Sequence, residues 1–204
     1  MGLLASSLFV ANSADAQISL GGNLSYLKFL GSEMKSSHPG IGIRGWYTQS
    51  DRFVLSFSAN YFLASTEKFP GQYLDGTGNP VDYEMESKTS VLQFDLRGNF
   101  YLVGDAEDDF NFYATAGVGV VLVNSSLDIP SEVPDMGASE PESPSGFMMD
   151  LGIGAEKNLD FGYLFLETGI TFPPFTASSR EGATVGTDIA SFFQVNAGIR
   201  IPLD

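Results

Sequence analysis

Seven charged residues sit inside otherwise apolar runs: Arg44, Asp95, Arg97, Asp150, Glu156, Glu167 and Arg200. The stretch VLQFDLRGNFYLV, residues 91–103, shows the pattern, with Asp95 and Arg97 set between Phe94, Leu96 and Phe100. Four carboxylates and three guanidinium groups held away from bulk water must pair with one another. Such a set suits a structural ion network that fills a space; a proton relay or gate is the other chemistry it allows. The single histidine, His38, lies beside Pro39 outside the strand pattern and has no matched acid, so it is expected in a solvated loop. There is no G-x-S-x-G, phosphate loop or H-E-x-x-H. We therefore expect no catalytic residue, no cofactor and no enzyme activity. The clusters GDAEDD (104–109) and DIPSEVPDMGASEPESP (128–144) offer carboxylates to a cation, but neither has the glycine and terminal glutamate of a hand-type calcium loop. Solvated acid, without a metal site, is expected at both.

The elements that position the seven charges have a period of two. Gln93, Asp95, Arg97, Asn99 and Tyr101 share one face of their strand, against Leu92, Phe94, Leu96, Phe100 and Leu102 on the other. ISLGGNLSY, GIGIRGWY, FVLSFSANYFL, FYATAGVGVVL, FMMDLGIGAE, YLFLETGITF and FFQVNAGIRI alternate in the same way. Together they make eight strands of about 9–12 residues, the length a tilted strand needs to cross a bilayer. Long connections (28–38, 65–88, 124–146, 173–188) alternate with short ones (48–52, 103–110, 157–162). With no helix pattern between them, neighbours should pair antiparallel, with both ends of the chain on the short-turn side.

An apolar stripe opposite a polar one fits either a soluble barrel or a membrane barrel turned inside out. Three features select the membrane. The polar stripe carries glycine (40, 42, 117, 119, 152, 154, 198), serine, threonine and asparagine, not the lysine and glutamate of a solvated face. Its charges nearly balance in a chain of net charge −15. Tyr26, Tyr47, Tyr61, Phe100 and Phe112 fall near strand ends on the apolar face, as interfacial aromatic girdles do. Along VDYEMESK, residues 81–88, the charged Asp82, Glu84, Glu86 and Lys88 keep the parity of the lipid-facing Leu92 and Phe94. That is expected if the fourth strand runs on above the membrane.

The 204 residues suit one domain, and the absence of cysteine excludes a disulfide framework. A pI of about 4.2 argues against a nucleic-acid partner. Residues 1–16 read as a signal peptide: GLLASSLFVA is apolar and Ala14-Asp15-Ala16 is a small-x-small cleavage site, although the first basic residue is Lys28. Residues 17–204 would then form the barrel domain.

On GIGIRGWY, LQFDLRGNFYL, ATAGVGV and the terminal FQVNAGIRIPL, the chain resembles the small eight-stranded outer-membrane barrels of the OmpA/OmpX type, closest in style to the porin-like outer-membrane β-barrel proteins of Bacteroidota. It departs from them at Ile201-Pro202-Leu203-Asp204, where such barrels usually end on an aromatic residue. The resemblance implies an all-β, eight-stranded antiparallel up-and-down transmembrane barrel in the outer membrane of a Gram-negative bacterium. The expected role is structural, adhesive or partner-binding. Lipid should surround the wall, the lumen should be plugged, and a protein or surface partner is expected at the loops 65–88 and 124–146. Porin-like passage of small solutes is the alternative. A lipid-modifying enzyme and a soluble lipocalin-like carrier are further ones.

Overall fold

The computed structural model describes residues 17–30, 37–74, 77–106, 108–128, 145–173 and 190–203. The proposed signal segment, residues 1–16, lies outside them, as do most of the long connections at 124–146 and 173–188.

Eight strands follow one another: β1 (Ile18–Phe29), β2 (Ser37–Ser50), β3 (Phe53–Leu74), β4 (Pro80–Val103), β5 (Phe110–Asp128), β6 (Ser145–Asn158), β7 (Tyr163–Phe172) and β8 (Phe192–Leu203). Each pairs antiparallel with its sequence neighbours, and β8 returns to β1 from Ile18↔Leu203 to Phe29↔Phe192. Closure removes the unpaired edges that an open sheet would present to hydrocarbon. The short connections are tight turns. Asp51 and Arg52 alone join β2 to β3. Gly104 sits at φ 73° after β4, where a side chain would be strained. In the same turn the Asp105 and Asp108 carboxylates each accept a hydrogen bond from the other's backbone N–H, both at 3.1 Å. Asp160 adopts φ 65° between β6 and β7, and its N–H donates to Asn158 Oδ1 at 2.9 Å.

Alternation sorts the wall. Leu24, Ile43, Phe57, Leu96, Leu151, Leu166 and Ile201 face outward, with Ile43 71% and Leu24 70% exposed. Tyr26, Tyr47, Tyr61 and Phe100 border this belt, exposed on its outer face. Gln93, Asp95, Arg97, Asn99 and Tyr101 are buried on the other side of the same strand. The belt runs from Ile18 to Tyr26 on β1, about 20 Å along the barrel axis for a strand tilted by about 40°. A water-soluble barrel would put these leucines and phenylalanines inside. Here they coat the outside, and hydrocarbon is the solvent that accepts them.

Two strands run to about twice the expected length. β3 and β4, of 22 and 24 residues, continue past the barrel as a paired ribbon, from Ser65↔Thr89 to Leu74↔Pro80. The segment 65–88, read from sequence as a loop, is therefore a β-hairpin with Gly78 at φ 87° near its tip. Its glycines and prolines imitate a coil: Pro70 and Gly71 lie within β3, and Pro80 opens β4. The continuation of β4 was expected, and Lys88 and Glu84 lie exposed beyond Leu92 on the same face. β5 likewise extends to Asp128, paired with Glu86.

Candidate functional site in the barrel lumen

All seven charged residues singled out in the sequence point into the lumen and are buried. Five form one cluster. Arg44 Nη1 lies 2.6 Å from Glu167 Oε2, and Arg97 Nη1 reaches the same oxygen at 3.5 Å. Arg97 Nε lies 2.8 Å from Asp95 Oδ1 and 3.0 Å from Asp150 Oδ1. These last two are ion contacts whose angles fall short of hydrogen bonds. The other two residues, Arg200 and Glu156, meet at 3.3 Å nearer the short turns. β2, β4, β6 and β7 thus each contribute a charge to the first cluster, and β6 and β8 to the second.

Tyrosines add to the coordination. Tyr113 Oη donates to Glu167 Oε1 at 2.9 Å, and Tyr101 Oη donates to Glu156 Oε2 at 2.9 Å. Arg200 also donates to the Ala106 carbonyl at 3.0 Å. The guanidinium of Arg44 lies 5.2 Å from the Phe165 ring centre and 5.6 Å from that of Trp46; that of Arg200 lies 4.2 Å from Tyr163. Placing cations over aromatic faces lowers the cost of keeping them from water.

Glycine makes room for these long side chains. A Cβ at Gly117 would collide with Arg97 and the Asp150 carboxylate, and one at Gly154 with the Tyr113 ring. Both glycines face inward on strands next to the charged residues, so the lumen's capacity is set by where side chains are missing.

The charged clusters form the middle of a layered filling. Toward the long connections lies a neutral polar layer: Asn23 donates to Asn60 Oδ1 at 2.9 Å, and Ser25 to Asn196 Oδ1 at 2.7 Å. Above it Leu27, Phe29, Phe62, Val91, Val121, Met148 and Phe192 pack together. Toward the short turns Trp46, Val54, Tyr101, Tyr113 and Phe165 form a second apolar cluster. The expectation of a small, sparse inner face is corrected here. Trp46, Phe62, Phe165 and Phe192 all have inward parity, so alternation assigned their side, and only their bulk went unremarked.

His38 is a second correction. It is fully buried, with Nδ1 3.2 Å from the Leu63 carbonyl oxygen and its ring edge-on to Phe29 at 5.6 Å. β2 begins at Ser37, so His38 falls on the inward parity of Gly40, Gly42 and Arg44 and not in a solvated loop. Near Arg97, Asp150, Glu167, Gln194 and Asn196 remains a cavity of about 10 Å³, about the size of one water molecule. No group of histidines, cysteines or carboxylates among the described residues has the arrangement of a metal site.

No protein-family model matches the chain, and no curated protein matches it by sequence. Solved structures do match over nearly its whole length. A major outer membrane protein from Thermus thermophilus aligns with a TM-score of 0.65 at 11% identity, covering 93% of this chain and 100% of that one. OprG from Pseudomonas aeruginosa aligns at 0.53 and 13%, covering 91% and 96%. Neisserial surface protein A aligns at 0.52 and 11%, covering 90% and 96%. The fold is that of the small outer-membrane β-barrels. Together with the apolar belt, it makes this chain an eight-stranded barrel whose wall suits lipid, the fold that the resemblance implied. The Bacteroidota affinity finds no support among these neighbours.

Proposed function

We propose that this barrel is a structural and partner-binding protein of the outer membrane, without enzymatic activity, whose lumen is a plug. The observation that carries the reading is the filled interior. Two apolar clusters flank a polar layer and a paired ion network, and the cavity among the charges measures only about 10 Å³. A ring of eight strands is just wide enough for its own side chains. The seven charged residues act in this reading as a structural network that ties strands across the lumen, and not as a relay.

The single histidine, His38, is fully buried against the Phe29 ring and the Leu63 carbonyl, which supports a reading without lipid chemistry. Residues 1–16 serve in this reading as the export signal. The working surface is the end that bears the β3–β4 hairpin and the 124–146 connection.

Planar-bilayer recording of the purified barrel tests the plug. The expected outcome is a silent membrane at moderate voltage. Reproducible single-channel steps from the wild-type protein would establish the porin-like alternative instead.

A further inference from the structure

Where the β3–β4 ribbon leaves the barrel, its two faces exchange character. Along β4, Val81, Tyr83 and Met85 keep the inward parity of Val91 and Gln93, whereas Asp82, Glu84, Glu86 and Lys88 keep the outward parity of Leu92. β3 reaches the matching arrangement through a bulge. Between Phe62↔Val91 and Ser65↔Thr89 it inserts one extra residue, which brings Phe69 opposite Met85 and Tyr73 opposite Val81. Beyond Ser65↔Thr89 and Glu67↔Ser87 the inward-parity face is therefore apolar, and the face that is apolar in lipid is charged.

On the charged face Lys68 lies 3.1 Å from Glu84 and 3.5 Å from Glu86. On the apolar face the Tyr73 and Tyr83 rings lie 6.0 Å apart, and the Tyr83 ring occupies the space a side chain at Gly71 would need. Phe69 is 41% exposed. Beyond Glu86↔Asp128 no other described strand pairs with the ribbon. An open cleft of about 840 Å³ is lined by Pro70, Gly71, Gln72, Asp82, Tyr83 and Glu84, and within it Gln72 donates to Asp82 Oδ1 at 2.6 Å.

We propose that this ribbon is the docking surface for a cationic, amphipathic polypeptide segment. Apolar side chains lie along Phe69, Met85, Tyr73 and Val81, and lysine or arginine side chains reach round the edge of the ribbon to Asp82 and Glu84 on its other face. Charge selects this occupant. The sequence segments 28–38, 65–88, 124–146 and 173–188 carry thirteen acidic and five basic residues. A second copy would bring the same surplus of acid and be repelled, and an anionic glycolipid would fare no better. An amphipathic chain gains from both faces, its apolar side chains against the aromatic row and its cations against the carboxylates. The proposal rests on the partner-binding reading above and names the partner's chemistry.

The test uses the full barrel in nanodiscs of zwitterionic lipid, with empty discs as the blank. Fluorescent peptides of alternating Lys and Leu, Glu and Leu, and Lys and Ser are titrated by anisotropy. The Lys/Leu peptide should bind saturably and the other two at least tenfold more weakly. Phe69→Ser with Tyr83→Ser, and separately Asp82→Asn with Glu84→Gln, should each weaken Lys/Leu binding tenfold or more while the heat-modifiable gel shift is retained. If a variant loses that shift, a barrel with residues 69–85 replaced by Asn-Gly takes its place and should not bind. Equal binding of the Lys/Ser peptide, or Lys/Leu binding indifferent to every variant, overturns the proposal. So do cross-linked dimers of the wild type that vanish in the Phe69→Ser, Tyr83→Ser variant, because the face then belongs to a second copy. Conductance of the same preparation keeps the two readings apart: current defeats the plug whatever the peptides do.

Discussion

Arg97 is the residue on which the lumen depends most, because its guanidinium touches three carboxylates on three strands: Asp95 on β4, Asp150 on β6 and Glu167 on β7. Removing one partner of a buried ion cluster leaves the others desolvated and unpaired, at a cost of about 3–5 kcal/mol. Arg97→Ala is therefore expected to lower the urea midpoint of the barrel by an amount corresponding to that cost. Adding Asp150→Asn should restore part of it, since one orphaned charge is then gone. Equal midpoints for Arg97→Ala and wild type would show that the network contributes nothing. A steric counterpart lies at Gly154, where the Tyr113 ring fills the place of a side chain. Gly154→Val should displace that ring, break its hydrogen bond to Glu167 and destabilise the barrel by about 1–3 kcal/mol for the overpacking alone. Denaturation followed by tyrosine fluorescence reports both the cost and the displacement. These residues were legible in advance because a charge within an apolar run is conspicuous and its parity assigns it a side. Their tyrosine partners were placed on the same face by that parity, but which hydroxyl meets which carboxylate depends on strand tilt and stagger, and no single strand's sequence encodes either.

At the scale of the element, all eight strands and their lipid-facing sides follow from period two, whereas the strand ends do not. β3 illustrates the difference. Its inward residues are even-numbered through Ser56, Ser58, Asn60 and Phe62; after the bulge the row that continues the inward face is odd-numbered, through Phe69, Gly71 and Tyr73. An alternation rule cannot see an inserted residue, and Pro70 and Gly71 lower the strand propensity of the segment at the same place. The ribbon is held by cross-strand pairs, Phe69 with Met85 and Tyr73 with Val81, and by the Tyr83 ring over Gly71. A two-stranded ribbon is marginal by itself, so it adds little to the ring of strands that supports it. Replacing residues 69–85 by Asn-Gly, a turn that suits two-residue hairpins, should leave the heat-modifiable shift and the urea midpoint unchanged. Lys68 is exposed, and its hydrogen bond to Glu84, with Glu86 nearby, holds its ammonium above the usual lysine range. The barrel midpoint should be insensitive to Lys68→Ala, because exposed pairs of this kind contribute little. A fall in midpoint in either variant would mean that the ribbon braces the barrel and is not an appendage.

For the whole molecule, the distribution of charge and the lengths of the connections define the two ends. Four of the twenty-five acids and three of the ten bases lie in the lumen; most of the remaining acid belongs to the connections. The apolar belt divides those connections into a long set and a short set; in the proposed reading the short turns face the periplasm and the hairpin lies outside. The chain contains no cysteine, which makes this orientation directly measurable. Lys68→Cys, on the ribbon, should react with a membrane-impermeant maleimide on intact cells. Asp160→Cys, in the β6–β7 turn, should react only after the outer membrane is opened. Leu166→Cys, at the middle of the belt where the native side chain is 57% exposed to its surroundings, should resist the charged reagent in both preparations because hydrocarbon covers it. The Leu166 site is the decisive one. In a soluble carrier of the same strand order an outward residue is wet, and rapid labelling there would mean that water, not lipid, surrounds the barrel.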